Sequence, residues 1–202
     1  MNALPPASTI PFSLCVYCGS RTGSDAQFAR AADAVGHWLG QQGGRLVYGG
    51  GNNGLMGRVA HAVLEAGGTV LGIIPQALVN LEVAKTDCTE LKVVQTMHER
   101  KALMMENADA FLALPGGIGT FEELFEVWAW RQLGYHSKPM GLLNINSYYD
   151  QLLGFLAHSV ESGFVSDHQM NHLLVDSQHD PLLVALQRAA ANQPHTVHTT
   201  QI

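Results

Sequence analysis

Four short apolar runs in this chain end on glycine or proline, and that punctuation restricts the fold more than any other feature. Residues 14–17, 45–48, 69–74 and 110–114 stop at Gly19-Ser20, Gly49-Gly50-Gly51, Pro75 and Pro115. Helical patterns follow over residues 25–42, 55–66 and 120–133. Further apolar runs at 91–95, 140–143 and 173–175 alternate with helical patterns at 97–107, 148–162 and 181–191. Runs that are apolar throughout fit strands buried on both faces. Strands alternating with helices specify a parallel sheet with helices on either side. The expected class is α/β, a Rossmann-like three-layer sandwich on a parallel sheet of about seven strands.

In such sheets ligands bind beyond the carboxyl ends of the strands. The glycine clusters, far apart in sequence, should therefore meet at one crevice. The 202 residues fit one domain over 13–191, with loose segments at 1–12 and 192–202. Residues 76–90 are irregular and long enough to be a functional loop. No apolar run approaches the roughly 20 residues of a membrane span. Residues 1–11 lack the features of a secretory signal, so the expected location is cytoplasmic. A net charge of -6 argues against a nucleic-acid partner, though a small anion remains compatible with it.

The stretch from Leu114 to Glu123, Leu-Pro-Gly-Gly-Ile-Gly-Thr-Phe-Glu-Glu, carries the strongest chemical signal. A glycine turn between a strand and a helix points backbone N–H groups at an incoming anion, and the helix dipole favours that anion. Gly116, Gly117, Ile118, Gly119 and Thr120 thus read as a phosphate cradle, with Glu123 one turn inside the helix. Thr120 and Glu123 also fit a capping box with Thr120 as N-cap, which would make Glu123 structural. The three glycines favour the cradle, since a cap does not require them. A carboxylate beside a phosphate makes sense if it faces the sugar, where it can stabilise positive charge or orient water.

Gly49 to Gly54 matches the Gly-x-Gly-x-x-Gly dinucleotide pattern. The next strand ends Gly72-Ile73-Ile74-Pro75, without the acid that would hold a ribose hydroxyl, so a smaller phosphate ligand fits Gly50 and Gly51 better. Arg100 and Lys101 lie in the first turn of a helix, where the dipole disfavours cations, and face the expected crevice. Cys15 and Cys18 have thioredoxin-like spacing but should face opposite sides of a strand. His168 and His172 stand four apart without a third ligand near in sequence, which fits surface histidines rather than a metal site. Phe121, Leu124, Phe125 and Trp128 form one stripe suited to core or subunit packing.

Together these residues resemble the Lonely guy family of cytokinin riboside 5′-monophosphate phosphoribohydrolases. The family's Pro-Gly-Gly-x-Gly-Thr-x-x-Glu stands at Pro115 to Glu123, and its Met-His-x-Arg-Lys at Met97 to Lys101. Cys18-Gly19-Ser20 and the Tyr48 to Gly57 segment carry the likeness upstream. The resemblance spans about residues 14–175. It implies a homodimer, no metal or redox cofactor, and cleavage between an adenine-type base and ribose 5-phosphate. By position it makes Arg100 and Glu123 the catalytic pair. It makes Glu82 and Lys101 substrate contacts and residues 116–120 the phosphate loop, while Gly19, Ser20, Gly50 and Gly51 are candidate substrate contacts from their place at the strand ends. Ala129 stands where the family commonly has threonine. An AMP nucleosidase without a hormone role, or a nucleotide or molybdenum-cofactor carrier, are the alternatives. Some family members carry a lysine decarboxylase label. A pyridoxal enzyme needs a Schiff-base lysine, and none of the four lysines here sits in a recognisable cofactor context.

Overall fold

The computed structural model describes residues 11–79 and 84–193. Seven strands form one parallel sheet: β1 (Ser13–Tyr17), β2 (Arg45–Tyr48), β3 (Thr69–Pro75), β4 (Glu90–Val94), β5 (Ala110–Ala113), β6 (Met140–Leu143) and β7 (Leu173–Asp176). Their spatial order is β4-β3-β2-β1-β5-β6-β7. The chain winds outward from β1 to β4, then returns to place β5 on the free side of β1. The winding direction therefore reverses between β1 and β5, the place where open α/β sheets bind ligands.

Alternation along the strands sends successive side chains to opposite faces. Leu14, Val16, Leu46, Tyr48 and Leu112 pack on one side. There they meet α1 (Ala26–Gln41), α2 (Gly54–Glu65) and α7 (His179–Ala191) through Val35, Leu39, Val59 and Leu183. Cys15, Tyr17, Val47, Leu71, Phe111 and Ala113 pack on the other side. Their partners are Met104 of α3 (Met97–Glu106), Leu124 and Val127 of α4 (Ile118–Gln132), and Leu156 of α5 (Asp150–Glu161). Leu14, Leu46, Phe111 and Leu112 are fully buried, each contributing about 1.5–3 kcal/mol relative to exposure. The α/β three-layer arrangement and the parallel sheet expected from the sequence are present.

Several boundaries differ from expectation, and each has a local reason. Helix α4 begins at Ile118, two residues before Thr120, because Gly117 takes the extended N-cap conformation. Helix α5 begins at Asp150, after a short 3-10 turn over Ile145–Ser147 in which Asn146 and Ser147 have φ of 50° and 59°. The side chain of Asn144 ties this turn, accepting from the Tyr149 N–H at 2.7 Å. The unexpected α6 (Asp167–Met170) is one turn held by a capping box between Ser166 and Gln169. The irregular segment contains a 3-10 turn at Gln76–Leu78 and an antiparallel bridge between Gly51 and Ala84.

Candidate active site

The first helical bond of α4 runs from the Phe121 N–H to the Gly117 carbonyl at 3.1 Å. The N–H groups of residues 117–120 therefore have no acceptor within the helix. They sit at the positive end of the helix dipole, on the carboxyl side of β5. Ile118 is 81% exposed, and a Cβ added to Gly117 or Gly119 would meet nothing within 4 Å. The approach to residues 117–119 is open.

The loop behind them is firmly seated. The Gly19 N–H donates to the Pro115 carbonyl at 3.1 Å, joining the ends of β1 and β5. Tyr149 donates its hydroxyl to the Leu114 carbonyl at 2.6 Å, and Tyr148 donates to the Gly116 carbonyl. Gly116 allows no side chain, since a Cβ would stand 2.1 Å from Thr120 Oγ1 and 2.9 Å from the Gly19 nitrogen. Thr120 is buried and lies in the third helical position. It is not the N-cap, and α4 has no side-chain cap bond. The alternative reading of Thr120 and Glu123 as a capping box is thus excluded. A true capping box forms instead at α3, where Thr96 Oγ1 accepts from the Glu99 N–H at 3.1 Å.

Glu123 lies in the second turn of α4, its side chain 13% exposed. Arg100, in the first turn of α3, is 5% exposed. Its Nη2 stands 3.9 Å from Glu123 Oε1 and donates to the Gly49 carbonyl at 3.3 Å. Met97 Sδ lies 3.8 Å from Nη1 of the same guanidinium. Residues from β2's end, α3 and α4 therefore meet around one ion pair. Gly49 must lack a side chain, because a Cβ would fall 1.8 Å from Arg100 Nη2.

The other expected residues divide. Gly19, Gly50 and Gly51 lie at the ends of β1 and β2, and the Gly50 carbonyl accepts from the Lys85 N–H at 2.9 Å. Gly54 lies against the backbone of Ser20, whose side chain is on the exposed surface. Lys101 Nζ donates to Glu122 Oε1 at 2.6 Å and Glu126 Oε1 at 2.8 Å, clamping α3 to α4. Desolvation acts to lower the Lys101 pKa, but the bonds to Glu122 and Glu126 outweigh it and the net shift is upward. The clamp also offsets the negative charge of Glu122, which would otherwise oppose an anion at the 117–120 amides. Glu82 lies outside the described residues.

Sequence reasoning placed Gly49 at the crevice without a role for it, and passed over Tyr148 and Tyr149. A Tyr-Tyr pair at the start of a helix was the available signal for the last two. Cys15 and Cys18 pack on opposite faces of the sheet, as their spacing requires, and burial pushes both thiols up. The His168 and His172 rings lie 4.6 Å apart, and no group of three metal-binding side chains occurs among the described residues. The α4 stripe splits: Leu124 and Trp128 are buried, while Phe125 is 38% exposed and stacks on Trp128.

Comparison with known proteins adds a second line. The family described as "Possible lysine decarboxylase" matches residues 56–186. A rice (Oryza sativa subsp. japonica) protein named probable cytokinin riboside 5′-monophosphate phosphoribohydrolase LOG4 is 48% identical over 89% of this chain and 78% of its own. An Arabidopsis thaliana protein named cytokinin riboside 5′-monophosphate phosphoribohydrolase LOG2 is 47% identical over 86% of this chain and 81% of its own. A Rhodococcoides fascians protein with the same enzyme name is 45% identical over 87% and 93% respectively. Among solved structures, the Moco carrier protein from Chlamydomonas reinhardtii superposes with a TM-score of 0.67 at 17% identity, over 91% of this chain and 100% of that one. At that identity the likeness concerns the fold alone.

Proposed function

We propose a function from one premise: this chain belongs to the "Possible lysine decarboxylase" family, whose rice, Arabidopsis and Rhodococcoides relatives are named cytokinin riboside 5′-monophosphate phosphoribohydrolases. The chain is an N-glycosidase. It hydrolyses the bond between an adenine-type base, N6-modified or plain, and ribose 5-phosphate. The observation that carries the reading is the Arg100–Glu123 pair, set beside the exposed helix-terminal residues 117–119.

The amides of residues 117–120 would hold the 5′-phosphate, as helix N-termini do. Anchored there, the sugar would lie over the second turn of α4, where Glu123 projects. As the bond from the anomeric carbon to the base nitrogen breaks, its electron pair leaves with the base and positive charge develops on the sugar. The Glu123 carboxylate stabilises that charge or orients the attacking water, whose oxygen bonds to the anomeric carbon and whose proton ends on the departing base. Arg100 stays charged throughout, so it serves as a fixed donor rather than a proton source. It orients Glu123 and positions the ribose phosphate or the departing base. Because the phosphate is remote from the broken bond, a nucleoside lacking it should lose rate as well as affinity.

The side-chain amines do not support lysine decarboxylation. Lys101 is clamped by Glu122 and Glu126, Lys85 pairs with Asp87, Lys92 with Glu90, and Lys138 donates to the Met105 carbonyl. The exposed Phe125 and Leu133 along α4 support a contact between two copies of the chain, and we include a homodimer in the proposal. Free, mostly buried cysteines support a cytoplasmic location. Among the described residues no helix is long and apolar enough to cross a membrane.

The test incubates the protein with AMP and with N6-isopentenyl AMP and follows free base and ribose 5-phosphate. Release from the prenylated substrate at the higher kcat/KM supports the cytokinin reading. Preference for AMP would make the protein a plain AMP nucleosidase. Recovery of both nucleotides intact after long incubation would overturn hydrolysis in favour of a carrier.

A further inference from the structure

At the opposite end of α4 a second cleft of about 440 Å³ opens, walled by Arg131, His136, Ser166, His168, Gln169 and His172. It lies near the amino ends of β6 and β7, away from the crevice described above. Its lining is cationic or neutral, and no carboxylate contributes to it. Arg131 is half-buried, and burial presses its pKa down. Its Nη1 donates to the Lys138 carbonyl at 2.6 Å, and it forms no ion pair among the described residues. The C-terminal end of the α4 dipole offsets only part of such a charge. A desolvated cation without a counter-charge is unfavourable unless an anion can approach it.

Next to Arg131, the half-buried His172 has its Nδ1 atom buried with no hydrogen-bond partner among the described residues. Burial, Arg131 and His168 together hold its pKa below the ordinary value. His136 differs. Its Nε2 lies 2.8 Å from the Val127 carbonyl and its Nδ1 accepts from the Lys138 N–H at 3.1 Å, so both ring nitrogens are committed. A metal ion does not fit the cleft, because Arg131 would repel it and no three ligands converge. The groups facing His172 are Arg131, His136 and His168, each positive or neutral.

We propose that this cleft binds a small oxyanion, a phosphate or a carboxylate, between Arg131 and His172. The anion supplies the counter-charge for the guanidinium and favours the protonated form of His172. The site is independent of the glycosidic chemistry, which lies at the other end of α4.

Histidine NMR of the full-length protein tests this, with His172 assigned by comparison with His172→Gln. His172 is titrated in chloride, phosphate and acetate at equal ionic strength, in wild type and in Arg131→Gln. The expected result is a rise of about one unit in the His172 pKa with phosphate or acetate over chloride, lost in Arg131→Gln. A histidine outside the cleft serves as the internal reference. A rise with both anions assigns a general oxyanion site, and a rise with phosphate alone assigns a phosphate-ester site. The same reading for His172 in all three salts, or a rise that survives in Arg131→Gln, overturns the proposal. The probe is local, so binding of phosphate at residues 117–120 does not mimic it.

Discussion

Gly49 and Arg100 occupy one space between them: the guanidinium donates to the Gly49 carbonyl at 3.3 Å and lies where a Gly49 side chain would stand. Gly49 is not in the left-handed backbone region, so alanine is permitted there by φ. Its methyl group would instead displace the guanidinium, or push β2's end away from α3. Gly49→Ala should lower kcat by about 100-fold through misplacement of Arg100. Overpacking should cost about 1–3 kcal/mol of stability. Thermal melting beside kinetics on N6-isopentenyl AMP checks it. A folded variant with normal turnover would remove Arg100 from the reaction.

Glu123 can be tested cleanly because α4 does not depend on it for a cap. Gly117 starts the helix, and neither Thr120 nor Glu123 caps it. Glu123→Ala should therefore reduce kcat by about 10²–10⁴, and any loss of stability should come from leaving the buried Arg100 without its carboxylate rather than from a lost cap. Had the capping box formed, the loss would have been about 1 kcal/mol of stability with turnover retained. The pair of measurements separates these two outcomes.

The fold was legible because glycine and proline mark where strands stop. Gly19, Gly49 and Pro115 each lie just beyond a strand's carboxyl end. The start of α4 was misplaced because Thr-x-x-Glu looks the same whether it caps a helix or lies inside one. Only the extended backbone of Gly117 distinguishes them. The clamp of Lys101 on Glu122 and Glu126 was not legible, because those partners lie 21 and 25 residues along the chain. Tyr148 and Tyr149 were invisible as loop supports for the same reason. Their reach to Gly116 and Leu114 depends on β6 lying beside β5, which no local pattern encodes.

Neighbouring glycines of the loop should respond oppositely. A methyl group on Gly116 would collide with Thr120 Oγ1 and the Gly19 backbone, so Gly116→Ala should destabilise the protein by about 1–3 kcal/mol. At Gly117 the added Cβ meets no atom of the protein, and the residue has a φ of -100°. Gly117→Ala should cost less than about 1 kcal/mol yet raise KM, since its methyl group intrudes where the phosphate approaches. Urea denaturation and substrate titration on both variants provide the comparison.

Removing Lys101 should act through charge. Without its amine, Glu122 and Glu126 stand uncompensated on the helix whose amino end faces the phosphate. Lys101→Ala should raise KM for nucleoside monophosphates, and added salt should reduce the difference by screening. Glu122 is about half exposed, so the stability change should stay within about 1 kcal/mol. An unchanged KM across salt concentrations would show that the clamp does not influence phosphate binding.

His136 should make stability fall in mild acid. Its Nε2–H donates to the Val127 carbonyl and its Nδ1 accepts from the Lys138 N–H, a pattern that only the neutral ring satisfies. Burial pushes its pKa down from 6.5 to about 4. Above pH 6.5 the ring is neutral in both folded and unfolded chains, and the contribution to stability is fully present. Below that, the unfolded chain takes up a proton that the folded protein refuses. Stability then drops with a limiting slope of about 1.4 kcal/mol per pH unit. The decline from this group ends near pH 4, where the folded ring also protonates. Urea unfolding at pH 7, 5.5 and 4.5 should show this slope in wild type. His136→Gln should be less stable at pH 7, because glutamine cannot reproduce both bonds in the same geometry. Its pH dependence over that window should be shallower by one proton. Equal slopes for the two proteins would mean that His136 titrates normally and that the paired bonds do not hold it neutral.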